Sequence, residues 1–179
     1  MDFIHSLSEV LSKATSVDEL LKSFYGDDFL DQIGKDLEIV ENDLRGLKFV
    51  LPGLFFKYAR FESDFLYAKE HYKTELNSLE GSLSLDVRND PDSYGVPKIT
   101  DASVNAAVNS NSDFILASNK YNLVSATYKL LYRVMRAFIV KADMIRQEEA
   151  KENAEMRMTT NEIDKVMSED FKRMRKEGE

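Results

Sequence analysis

The chain has 179 residues, 43% apolar and 31% charged, with a formal net charge of -8 and no cysteine. This balance suits one soluble folded unit, and it excludes disulfides, thiolate metal sites and a duplex-DNA binder of the strongly basic kind. With no run near the ~18 apolar residues of a span and no basic-then-apolar leader in "MDFIHSLSEV", the expectation is a cytoplasmic protein that neither crosses a membrane nor is secreted.

Seven glycines and three prolines leave few places to turn, so long helices are expected. Ser16-Val-Asp-Glu19 reads as a capping box that starts a short helix, and Gly26 reads as its end. Leu30, Ile33, Leu37, Val40, Leu44 and Leu47 alternate at three and four residues, the pattern of a second amphipathic helix. Pro52-Gly53 is expected to interrupt it, because proline has no N–H for the turn and disfavours helix in the residue before it.

From Leu54 the pattern resumes at Tyr58, Phe61, Phe65, Ala68, Tyr72, Leu76, Leu79 and Leu83, which predicts a helix of about 30 residues. Asp86 to Ile99 holds Pro91, Gly95 and Pro97 and reads as a loop. Thr100 is a candidate N-cap for a short helix, and Ser110 with Asp113 for the next. That last helix has an apolar seam at Ala117, Tyr121, Val124, Tyr128, Leu131, Met135, Phe138, Ala142 and Ile145. The expected architecture is all-α: a long antiparallel helical hairpin with residue 57 near residue 141, short N- and C-terminal helices, and assembly into a homo-oligomer.

After Gln147 the seam fails, so Glu148 to Met158 is expected to be weakly packed, with a short helix after Thr159 as a mobile appendage. The organisation expected is an acidic N-terminal helical segment (1–36), a hairpin core (37–150) and a charged C-terminal appendage (151–179).

A second apolar stripe, Leu116, Leu123, Leu130, Ala137 and Met144, lies off the seam at seven-residue steps. Either the N-terminal helices or other copies of the chain must cover it, and homo-oligomerisation is the simpler expectation. Charge is also uneven. Residues 1–50 hold 5 Lys/Arg against 11 Asp/Glu, whereas Lys120 to Arg146 holds six basic residues against Asp143 alone. Lys129, Arg133 and Arg136 share a helix face beside Tyr132, and Lys57, Arg60, Lys69 and Lys73 project from the opposing helix near Tyr67. Cations among aromatics suit a single nucleic-acid strand, whose phosphates want charge and whose bases want flat faces. Salt bridging is the plainer alternative, with Arg136 near Glu62 and Arg133 near Asp64.

Enzyme chemistry finds little support. No phosphate-cradling glycine loop occurs, no carboxylate pair stands out, and His71 with Glu75, four apart, is better read as a solvated face than as a metal site. The expectation is a non-enzyme with neither cofactor nor metal.

The connection "LDVRNDPDSYGVPKITDASVNAAV", with Arg88, Asp90, Pro91, Tyr94 and Gly95 followed by Lys98, Thr100 and Asp101, leads into a helix closing "AFIVKADMIRQ". Over residues 37–150 this order resembles the UvsY-like recombination mediators of bacteriophages. The resemblance implies a helical subunit that assembles, as a ring, on single-stranded DNA in the host cytoplasm. It further implies that the protein helps a RecA-like recombinase displace the single-strand-binding protein in recombination and repair. The family places basic residues at the end of the first long helix; here that place reads Leu79-Glu80-Gly81-Ser82, and Arg88 and Lys98 are the nearest cations. The alternative expectation is a helical structural or adaptor protein, a phage assembly or chaperone component, without nucleic-acid binding.

Overall fold

The computed structural model describes residues 3–39 and 44–177, and among these it is all-helical with no strand. Three short helices, α1 (Phe3–Leu11), α2 (Val17–Tyr25) and α3 (Phe29–Leu37), precede a long helix α4 (Leu44–Asn89). A 3-10 turn (Asp92–Tyr94) and the short α5 (Asp101–Ser110) lead to a second long helix, α6 (Ser112–Glu177). At 1.5 Å per residue α4 spans about 69 Å and α6 about 99 Å.

The caps follow the local chemistry. Ser16 Oγ accepts from the Glu19 N–H, while the Glu19 carboxylate turns back to the Thr15 N–H at 2.7 Å. Glu19 thereby gains acceptor bonds that hold it below the usual carboxylate range, the Thr15 backbone N–H contributing most. Gly26, at φ 97°, ends α2 in a conformation that a side chain would strain. Thr100 and Ser103 form a reciprocal capping box at the start of α5. The cap of α6 is Asn111, whose Oδ1 accepts from the N–H groups of Asp113 and Phe114, rather than Ser110; Ser110 instead bonds back to the Ala107 carbonyl.

Three boundaries differ from the periodicity. The amphipathic pattern from Leu30 to Leu47 does not form one helix: α3 stops at Leu37, Glu38 is extended, and Val40 lies outside the described residues. The reason is tertiary, because the Lys141 ammonium donates to the Asp36 and Glu38 carbonyls at 2.8 and 2.7 Å and satisfies the end of α3 from another helix. Pro52 does not interrupt α4. The carbonyl deprived of a donor is that of Lys48, on an exposed stretch, while Leu51 and Leu54 on either side pack against the core. Finally, α6 runs unbroken past Gln147 to Glu177, with no separate terminal helix. No glycine or proline occurs between Ser112 and Glu177, so losing the apolar seam removes packing without removing the helix.

Contacts between the long helices step in opposite directions along the chain. Lys48 pairs with Glu149 at 3.0 Å, Tyr58 stacks on Phe138 with centroids 4.9 Å apart, and Lys69 lies over the Tyr128 ring. One core cluster joins α1, α2 and α3 to the pair through Leu7, Leu20, Leu21, Phe29, Phe65 and Phe138. Aromatic rings dominate it, with Tyr25 4.1 Å from Phe61 and 4.6 Å from Phe29 by centroid. A smaller cluster at the other end packs Leu83 and Val87 against Val96, Val104 and Val108, seating α5. Residues 3–37 are therefore part of the same core as the long helices, and α6 crosses residue 150 without a boundary.

Candidate nucleic-acid interface

The ten candidate binding residues separate into groups. Lys57 turns toward α3, where it pairs with Asp36 at 3.3 Å, and Tyr58 donates to the same carboxylate at 2.8 Å. Burial raises the Asp36 carboxyl, but bonds from Tyr58, Gln32 and Lys57 outweigh it and the group ends below its ordinary 3.8. Burial, helped by that carboxylate, pushes the Tyr58 hydroxyl up. Arg60 lies on this side too, within electrostatic reach of Tyr25.

Lys69 and Lys73, four residues apart, share another face. Twelve residues separate Lys57 from Lys69, about a third of a turn around the helix at 100° each. Lys69 Nζ, paired with Glu70 at 3.3 Å, lies 5.0 Å from the Tyr128 ring centroid, and Tyr128 stands 6.2 Å from Tyr132, so one cation and two rings adjoin at the α4–α6 junction. Lys129 and Arg136 lie to one side of these tyrosines, within about 100° of rotation, and Arg133 lies further round. Lys129, Tyr132, Arg133 and Arg136 are all exposed, Tyr132 at 48%.

Neither Arg133 nor Arg136 forms an ion pair with Asp64, Glu62 or any other described residue, and the same holds for Lys73, Lys129 and Arg60. The connection differs: Arg88 reaches Asp101 at 2.6 Å and ties the end of α4 to the first turn of α5, while Lys98 is exposed. Lys141, one of the six cations between residues 120 and 146, is unavailable to a ligand. It is 4% exposed, and burial holds its ammonium below the usual lysine value against the opposing pull of Asp36 and Glu38. Periodicity carries one signal for it, since Lys141 falls three residues after buried Phe138 and four before Ile145; its carbonyl partners needed the fold.

The second apolar stripe is shared out. Leu123 and Leu130 are partly buried against the main core and Ala137 is half-buried, whereas Leu116 is 56% and Met144 49% exposed. A cleft of about 500 Å³ beside the α1–α2 turn is lined by Leu11, Ala14, Lys13, Leu116, Lys120 and Leu123. The α1–α2 turn therefore stands beside Leu116 and Leu123 of the stripe. Sequence reasoning passed over Phe49 and Phe56, seven apart on α4, which are 84% and 73% exposed.

His71 Nε2 approaches Glu75 Oε1 at 3.3 Å on a partly exposed face, and no cluster of three or more metal-ligating side chains occurs among the described residues. No described helix is long and apolar enough to cross a membrane. No family model, curated protein or solved structure matches the chain.

Proposed function

We propose that the protein is a non-enzymatic, oligomeric single-strand DNA-binding protein acting as a recombination mediator, helping to load a RecA-like recombinase against a single-strand-binding protein. The observation that carries the reading is the exposed set Lys129, Arg133 and Arg136 beside Tyr132, cations that no carboxylate among the described residues neutralises in a chain of net charge -8. Exposed arginines without an ion-pair partner among the described residues, on the helix that carries Tyr132, have a chemistry that fits a phosphate backbone with unstacked bases. Lys73 extends the surface across α4, whereas Lys57, Lys69 and Arg88 are paired with Asp36, Glu70 and Asp101. The mediator role rests on the sequence resemblance, and the host-cytoplasm location goes with it.

Oligothymidine binding tests this. Affinity should fall steeply with salt, and Arg133→Glu with Arg136→Glu should weaken it and flatten the salt slope by about 0.7 for each phosphate left unneutralised. Tyr132→Ala should cost roughly 1–3 kcal/mol per stacked base and leave the slope alone. Absence of binding at low salt overturns the reading. The second reading, an adaptor, is favoured by the bare Phe49 and Phe56. It requires no oligonucleotide affinity at any salt.

A further inference from the structure

The cleft beside the α1–α2 turn has a chemistry that neither the core nor the α4–α6 face uses. Its polar lining is made largely of free donors: Lys13 from the turn, and Asn119, Lys120 and Asn122 from α6. None of these four side chains has a hydrogen-bond or ion-pair partner among the described residues. Ser12 and Thr15 also border the cleft but are engaged, Ser12 with the Glu9 carbonyl at 2.7 Å and Thr15 with the Glu19 carboxylate. No carboxylate among the described residues lines it, in a chain with 32 acidic residues.

Local spacing explains why the two ammoniums are free. Three and four residues from Lys120 on α6 stand Leu116, Ala117, Leu123 and Val124, so its own helix offers it no carboxylate. The one acid at that spacing from Lys13 is Glu9, which His5 approaches at 3.5 Å. A second cavity of about 130 Å³ shares Leu116 and Lys120 and brings in Glu75 and Asp113, yet neither pairs with Lys120. We propose that the cleft binds a small phosphomonoester with a flat or apolar body, a nucleoside monophosphate being of this class. Charge selects the headgroup. A phosphomonoester carries about -1.5 to -2 at neutral pH and three acceptor oxygens, which two ammoniums and two carboxamides match; each internal phosphate of a strand carries a single charge. Volume and lining select the rest: about 500 Å³ suits a small molecule, and Leu11, Ala14, Leu116 and Leu123 offer its body an apolar surface.

Calorimetry on the full chain tests this with adenosine monophosphate, adenosine and inorganic phosphate as probes. The monophosphate should bind, and the other two should bind at least about tenfold more weakly, each lacking one half of the recognition. Lys13→Gln and Lys120→Gln should each weaken monophosphate binding by about tenfold or more, the loss of a charged hydrogen bond, with unfolding unchanged. Lys120→Arg should retain binding. The outcome is independent of whether the tyrosine face holds a strand, and oligothymidine affinity should be the same in both glutamine variants as in wild type. Failure of the monophosphate to bind, equal binding of adenosine or of inorganic phosphate, or full affinity in the double glutamine variant each overturns the proposal. So does a parallel loss of oligothymidine affinity, which would assign both lysines to a strand.

Discussion

Within one continuous helix, α6 has two regions with the same backbone and different physics. From Ser112 to Glu149 it buries Val124, Leu131 and Phe138 in one core with α4 and the N-terminal helices; from Ala150 to Lys165 it buries nothing. The contrast teaches that helix continuity and helix packing are separate properties. Continuity needs only the absence of breakers, whereas packing needs apolar residues at three- and four-residue steps and an element to receive them.

The largest effect that would break the contrast is a cavity. Phe138 is fully buried and stacked on Tyr58, so Phe138→Ala should lower the unfolding free energy by about 3–5 kcal/mol in urea titrations. Ile163→Ala, an equal test in the outer region, should change the body's unfolding by under about 0.5 kcal/mol.

Next comes the polar latch at the inner region's edge. Lys141→Met leaves the Asp36 and Glu38 carbonyls without their donor and should cost about 1.5–3 kcal/mol, with amide exchange in α3 accelerating before that in α4. Asp36 adds a pH signature. Its folded carboxyl lies below 3.8, so its stabilisation is present above that value and is lost as pH falls through the depressed folded value. Asp36→Asn should therefore lower stability at neutral pH and make acid unfolding less steep, as followed by circular dichroism.

Limited proteolysis sharpens the comparison by order rather than energy: cleavage should begin between Glu148 and Met158 and leave the packed body intact. The smallest effect is expected at the tyrosine face. Because Arg133 and Arg136 have no ion-pair partner among the described residues, reversing both should shift thermal stability within about 0.5 kcal/mol. A larger loss would mean that they serve the fold rather than a ligand.

Much of this was legible without coordinates because its causes are local. Ser16 and Thr100 announce helix starts by offering an oxygen to N–H groups three residues on, and Gly26 ends α2 where φ turns positive. The seams of α4 and α6 name Tyr58, Phe65, Tyr72, Val124, Leu131 and Phe138 as core because a 3.6-residue period admits one buried face. The cations beside Tyr132 were equally visible, since i, i+4 and i+7 share a face.

Tertiary structure alone decided what met those faces. Whether Arg133 and Arg136 would be neutralised depended on where Asp64 and Glu62 landed. The end of α3 depended on Lys141, more than a hundred residues away, and the passage of α4 through Pro52 on apolar neighbours whose burial outweighed one missing hydrogen bond. Leu123 needed a neighbour on the helical period alone, but only the fold could set the α1–α2 turn beside it. A helical period fixes which side of a segment is apolar; which element covers it is settled by the buried area and polar bonds summed over the whole chain.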